Sequence, residues 1–249
     1  MTFIVRGTGT EGQARPPSGS AGHTEGLNTI ASGSQGSHAE GKDTIASGGN
    51  SHAEGSSSTA SGSTSHAEGQ SSTASGGYTH AGGYLGKATR FGEFVRGGGA
   101  GSATGATTSQ HGSLTIGALT TDATPTVLTA DAAVPNLAAA GSTVLTLVVK
   151  AIAAFQIVVV ARRVITQGSM AGFTIEGIIG RDSTGNARII GTPTTASWAD
   201  AGATTWTMVA SVDTTNATYN FLALTVTGEA AKSISWFGTI HITEIVTSN

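Results

Sequence analysis

Five histidines keep step along the early part of this chain: His23, His38, His52, His66 and His80 fall 15, 14, 14 and 14 residues apart. A second column, Ala31, Ala46, Ala60, Ala74 and Ala88, follows each histidine by eight positions. The unit reads Ser-His-Ala-Glu-Gly, four variable positions, then Ala-Ser-Gly. A flexible Gly/Ser linker has no reason to hold phase over several units, whereas stacked coils require it. Fourteen residues is too short for a helical hairpin, and the large apolar residues of a heptad seam are missing. The period suits a coil of two short strands joined by tight turns, with Gly41, Gly48, Gly55 and Gly62 expected at positive-φ corners. Coils would stack as parallel strands about 4.7–4.9 Å apart.

Alternation along a strand sorts the columns. In His38-Ala39-Glu40 the histidine and glutamate share one face; in Thr44-Ile45-Ala46-Ser47, Thr44 and Ala46 oppose Ile45 and Ser47. The alanine columns, Ala39, Ala53, Ala67 and Ala81 with Ala31, Ala46, Ala60, Ala74 and Ala88, are assigned inward, filling a very narrow roll. The His/Glu column and the Ile30, Ile45, Thr59, Thr73 column then point outward. Methyl groups return little burial against about 1–2 kcal/mol of backbone entropy per ordered residue. Such a roll needs neighbours, so association of chains through an outward column is expected.

The units Ser37-His38-Ala39-Glu40-Gly41, Ser51-His52-Ala53-Glu54-Gly55 and Ser65-His66-Ala67-Glu68-Gly69, each followed by Ala-Ser-Gly, resemble the 14-residue head repeats of trimeric adhesins. Heads of that family are left-handed parallel β-rolls with three chains around one axis. The usual family unit is apolar where this chain has His and Glu, and the His/Glu version is similar to repeats of phage and prophage tail fibres. The likeness covers roughly residues 22–92. Thr24 for Ala, Gly82 for Glu, one extra residue between the first two units and Arg90 for glycine depart from it, all near its ends. The resemblance implies a homotrimer. If the His/Glu column met the three-fold axis, His38, Glu40, His52, Glu54, His66 and Glu68 would form a ladder in the trimer core, around a roll core of Ala39, Ala46, Ala53, Ala60, Ala67 and Ala74. A metal or anion held on the axis by His38, His52 and His66 is the sharper reading, since neutral imidazole is a common ligand. A ladder of His–Glu hydrogen bonds is preferred, because a pattern repeated at every coil is what scaffolding does; no metal and no cofactor is expected.

Residues 113–249 change character towards Val, Ile, Thr, Leu and Trp. Strands are expected at 114–119, 144–149, 156–164, 173–181, 188–191, 205–212, 221–226 and 233–245, separated by turns such as Asp182-Ser183-Thr184-Gly185-Asn186. Many short strands without helical period predict an antiparallel sandwich or jelly-roll-like knob. The apolar run 144–161 is read as two paired strands bent around 150–154, because Lys150 sits near its middle. Thr120-Thr121-Asp122-Ala123-Thr124-Pro125-Thr126, Val159-Val160-Ala161-Arg162-Arg163, Thr227-Gly228-Glu229-Ala230 and Ser235-Trp236 resemble a β-rich domain at the C-termini of phage tail appendage proteins. The whole is therefore expected to be all-β: an attachment segment at 1–21, the roll at 22–92, a glycine-rich connector at 93–112 and the knob at 113–249.

Twelve basic against 15 acidic side chains, a net charge of −3, leave no dense cationic face for nucleic acid. Without cysteine there is neither a thiolate nucleophile nor a disulfide. Gly7-Thr8-Gly9-Thr10-Glu11-Gly12 spells a dinucleotide fingerprint, but Gln13-Ala14-Arg15-Pro16-Pro17 cannot form the helix that it requires. His111 and His241 stand without obvious partners. Trp206 and Trp236 lie in strand patterns and are read as core; Trp198, in the loop-like stretch 194–203, is the candidate receptor contact.

The expected role is that of a homotrimeric phage tail fibre or tail appendage in the virion, made in the host cytoplasm without an export signal or membrane insertion. The N-terminus would join other tail or baseplate proteins, and the knob would touch a host-surface receptor, glycan foremost. Two rivals stand beside it. One is a purely structural particle protein joining its neighbours; the other is a polysaccharide depolymerase, for which Asp182, Asp200, Asp213 and Glu229 show no diagnostic spacing. No catalysis is expected.

Overall fold

The repeat folds as its columns dictate, into a β-solenoid with two short strands per coil. In this computed structural model one parallel sheet takes, in order, β1 (Val5–Arg6), β2 (His23–Leu27), β4 (His38–Lys42), β6 (His52–Ala53), β8 (His66–Ala67), β10 (His80–Tyr84) and β12 (Phe94–Ala100). The second takes β3 (Ile30–Ala31), β5 (Ile45–Ala46), β7 (Thr59–Ala60), β9 (Thr73–Ala74) and β11 (Lys87–Ala88). The structure describes residues 5–6, 21–100, 107–130, 145–147, 150–164, 168–213 and 221–247, all-β without a helix, and falls into two units between Gly112 and Ser113. Apart from Val5, Arg6 and Ala21, the expected attachment segment at 1–21 lies outside the described residues.

Register is strict: His23, His38, His52, His66 and His80 pair in succession, as do Ala46, Ala60 and Ala74. Strand N–H groups donate to the next coil, as from Ser47 to the Ala60 carbonyl at 2.9 Å. At two corners per coil the direction reverses. Asn50, Thr64 and Tyr78, and likewise Asp43, Ser57 and Ser71, stand at φ 52–58° and donate to the preceding coil. Gly41 and Gly55 do take positive φ, 104° and 95°, but Gly48 and Gly62 do not. A Cβ on Gly48 would lie 1.9 Å from the Gly62 carbonyl oxygen, and one on Gly62 1.8 Å from that of Gly76. Those two are glycine because the next coil's backbone lies against them. The extra residue between the first two units is absorbed in the corner around Gly36 (φ 40°), since pairing is in register on both sides of it.

Both alanine columns are buried, at 0–1% exposure. They share the interior with serine and threonine: Thr44, Ser51, Ser58, Ser65 and Ser72 are equally hidden. Their hydroxyls donate to backbone carbonyls, Ser51 to Gly48 at 2.8 Å, Ser65 to Gly62 at 2.7 Å and Ser58 to Gly69 at 3.1 Å. Satisfied hydroxyls can be buried at little net cost. The filling is thus methyl and hydroxyl together, most of the hydroxyls hydrogen-bonded to backbone carbonyls, and of these only Thr44 was placed inward from the sequence.

Phe94–Ala100, expected within a connector, instead adds a strand to the roll. Phe94 pairs with His80 and Val95 with Ala81, and Val95 is fully buried in the alanine column. At the last coil of the second sheet the ladder meets a side-chain substitute. Ser75 and Gly76 donate to the Ala88 carbonyl, but no strand of this sheet follows β11 among the described residues, and Thr89 and Arg90 donate to Glu93 Oε2 at 2.9 and 3.1 Å. Arg90, itself 3% exposed, pairs with Glu93 through its guanidinium. It takes the place of a glycine beside β11, the last strand of this sheet among the described residues. Gln110 likewise brackets Lys87, accepting from its N–H at 3.0 Å and donating to its carbonyl at 3.3 Å.

The second unit contains two antiparallel sheets around one apolar core. In one, β21 (Ile234–Thr247), β16 (Ala151–Arg163), β17 (Met170–Arg181) and β18 (Ala187–Ala199) lie side by side, with β13 (Thr107–Thr120) next to β21. In the other, β20 (Phe221–Thr227) pairs with β19 (Thr207–Asp213), and also with β14 (Thr126–Val127) and β15 (Leu145–Thr146). The described strands of the run 144–161 do not pair with each other: β15 joins β20, β16 joins β17 and β21, and Lys150, at φ 64°, stands immediately before β16. Of the stretch 194–203 expected as loop, residues 194–199 continue β18 past a register shift opposite Gly177 that accommodates Gly191 and Pro193. An edge strand tolerates this. Trp206 and Trp236 are core, their rings 5.9 Å apart. No helix among the described residues is long and apolar enough to cross a membrane.

Removing the Glu93 carboxylate takes away an ion-pair partner of the buried Arg90 guanidinium and the acceptor of two backbone N–H groups. Glu93→Ala is expected to cost about 3–5 kcal/mol, measured by denaturant unfolding, with faster amide exchange at Thr89 and Arg90. Wild-type stability and exchange would show that the cap carries no weight.

Candidate functional site

The outward histidines stack. Ring centroids of His38 and His52 lie 4.5 Å apart with planes 4° from parallel, and those of His52 and His66 lie 4.7 Å apart at 7°. His23 meets His38 edge-on, His80 is tilted against His66, and Phe94 closes the stack 4.6 Å beyond His80. The spacing is that of the strands beneath, which is also an aromatic contact distance.

A ladder of His–Glu hydrogen bonds within the chain is not what forms. His38 Nε2 lies 3.5 Å from Glu40, His52 Nε2 3.9 Å from Glu54 and His66 Nε2 4.0 Å from Glu54. These three Nε2 atoms are buried without a hydrogen-bond partner in the protein. Only His80 and Glu68 come to 3.3 Å, and Gly82 makes this possible: Glu68 folds over the place where a side chain at 82 would stand. Burial, followed by the neighbouring imidazoles, holds His38 and His66 below the usual histidine value, against the opposing pull of Glu25, Glu40, Glu54 and Glu68. Two sets, His38–Glu40–His52 and His52–Glu54–His66, have the composition and closeness of metal ligands.

The second unit has a different feature. Trp198 lies in β18, 62% exposed, rather than in a loop. Register aligns Phe237, Val160, Gly172 and Trp198 in one row across four strands. Phe237 and Val160 are 58% and 59% exposed, and a Cβ on Gly172 would touch the indole at 3.9 Å. The row is an apolar strip with an aromatic at each end and a glycine floor beside Trp198. A hollow of about 430 Å³ opens beside it, lined by Val160, Arg162, Met170, Ser235 and Phe237 among others. Sequence reasoning found Trp198 but not its companions, because cross-strand rows join residues far apart in the chain.

Three of the four carboxylates weighed for catalysis have side-chain contacts of their own. Asp182 accepts from Thr184 and Asn186 at 2.7–3.0 Å, Asp200 accepts from Met170 and Gly202, and Glu229 pairs with Lys232. His111 and His241 both have partners. No protein-family model matches this chain, and neither does any curated protein.

Because folding lowers the pKa of His38 and His66, the unfolded chain binds protons more readily. Their contribution is therefore complete above the unfolded value of about 6.5 and is lost as pH falls through the depressed folded values. His38 and His66 carry this effect; they are flanked by His23, His52 and His80 and faced by Glu25, Glu40, Glu54 and Glu68. In chelator-containing buffer the melting temperature is expected to drop between pH 6.5 and 5. His38→Phe/His66→Phe, which keeps ring stacking, should flatten that drop; an equally steep decline in the variant would remove the histidines as its cause.

Proposed function

We propose that the chain is a structural, adhesive protein of a phage tail appendage, acting as a homotrimer. The repeat unit serves as spacer. The second unit, read as a β-sandwich knob, contacts the host surface, with glycan as the receptor class. The observation that carries this reading is the exposed row Phe237–Val160–Gly172–Trp198, because aromatic faces on a rigid sheet seat sugar rings and leave polar neighbours to orient them. The resemblance of the His-Ala-Glu-Gly repeats to tail-fibre repeats supports the setting, and three copies of one weak contact gain strength by avidity. The N-terminal region would join other tail proteins.

A second reading has its own observation. Ile152, Ile178, Ile190 and Ile245 are also exposed on this sheet, and an aliphatic patch of that kind suits a neighbouring subunit rather than a sugar.

Mass measurement in solution is expected to give three chains. Trp198→Ala should keep that mass while abolishing binding of the purified protein to host cells. Loss of the trimer in Trp198→Ala would move the row to a subunit contact, and undiminished host binding would remove it from adhesion altogether.

A further inference from the structure

We propose that the His/Glu column binds a divalent transition-metal ion of the zinc class, at a site built inside one chain by two consecutive coils. Within His38–Glu40–His52, and again within His52–Glu54–His66, the donor atoms all lie within 4.8 Å of one another. Imidazole nitrogen with carboxylate oxygen is the donor set of zinc, nickel and copper rather than of magnesium or calcium. This site differs from one on a three-fold axis, since every ligand comes from the same chain.

Geometry and desolvation both favour it. The near-parallel rings turn their Nε2 edges towards the same carboxylates, and Glu54 lies between two of them, at 3.9 Å from His52 and 4.0 Å from His66. Nε2 of His38, His52 and His66 is buried without a hydrogen-bond partner in the protein, and an unpaired buried polar atom costs about 1–3 kcal/mol. Zinc–nitrogen bonds of about 2.0–2.1 Å at a tetrahedral angle place donors about 3.3 Å apart. Each triad reaches that by rotating side chains inward over a backbone fixed by the coil ladder. The side chains remain about one-third exposed, which leaves an entry path and room for water to complete the coordination.

His52 belongs to both triads and offers one Nε2, so the two sets are alternatives and a chain holds one ion across them. His66 is tilted 55° from His80, and no third triad forms among the described residues.

The test is calorimetric titration of Zn²⁺ into the full, tag-free chain after chelator treatment. One ion per chain is expected. His38→Gln should still bind one, at about half the affinity, because the other triad survives. His52→Gln should lose binding, by at least the roughly 10–100-fold that removal of a mere outer-sphere partner costs. Glu40→Gln/Glu54→Gln leaves the ring stack intact and should weaken binding by at least about tenfold, which decides the matter should His52→Gln fail to fold. Absence of binding, wild-type affinity in folded His52→Gln or in the double Glu variant, or an ion count that follows the number of histidines would overturn the proposal.

Discussion

Everything in the repeat unit follows from how closely one coil's backbone approaches the next. Carbonyl oxygens lie where a Cβ on Gly48 or Gly62 would have to be, and that proximity lets Ser47 and Gly48 share the Ala60 carbonyl. An interior held to that spacing, and closed within one turn of chain, has room for methyl and hydroxymethyl groups and little else. Hence alanine fills two columns while serine and threonine fill the others, the hydroxyls of Thr44, Ser51, Ser58, Ser65, Ser72 and Thr79 each answering a carbonyl. The corner residues at positive φ complete the accounting by turning their N–H groups to the preceding coil, where strand geometry would leave them unpaired. On the outside, the same spacing brings any repeated ring into contact with its copies.

A ladder of this kind has ends, and ends are its weak points: an exposed row of N–H and C=O groups is a template for further strands. The chain answers with side chains that imitate backbone. Glu93 supplies carboxylate oxygen where the next coil would supply a carbonyl, and Gln110 offers Lys87 an amide in place of a strand. Arg90 then neutralises the buried charge that the first imitation introduces. Val5–Arg6 extends the opposite end by ordinary pairing with Thr24 and Glu25.

Period, inward alanines and the outward His/Glu column could all be read from residue spacing, because columns that hold phase must stack and strand alternation then assigns their faces. Other features were hidden for separable reasons. Buried serines look like loop residues until their carbonyl partners are known. Phe94-Val95-Arg96-Gly97 keeps the 14-residue step from His80 and was disguised only by its change of side chains. The strand carrying Trp198 contains Gly191, Pro193 and four threonines or serines, a loop composition that an edge strand with a register shift accommodates. The pairing of β15 with β20 rather than with its neighbour β16 is a long-range choice that local pattern does not encode. For the candidate site, the histidines were legible and their stacking was not, since distance between rings is set by coil geometry rather than by the residues alone.

That last point separates two properties of one side chain. The faces of the imidazoles are occupied by the neighbouring rings, and Phe94 shows that a plain aromatic serves there as well. Stacking therefore explains an aromatic at each coil but not a histidine. What histidine adds is at the ring edge, where its nitrogen faces a carboxylate at a distance too long for a hydrogen bond and in a place too dry for free hydration. A column selected for packing alone would have no use for Glu40 and Glu54 beside it. Ring faces thus account for the shape of the column, and ring edges for its chemistry.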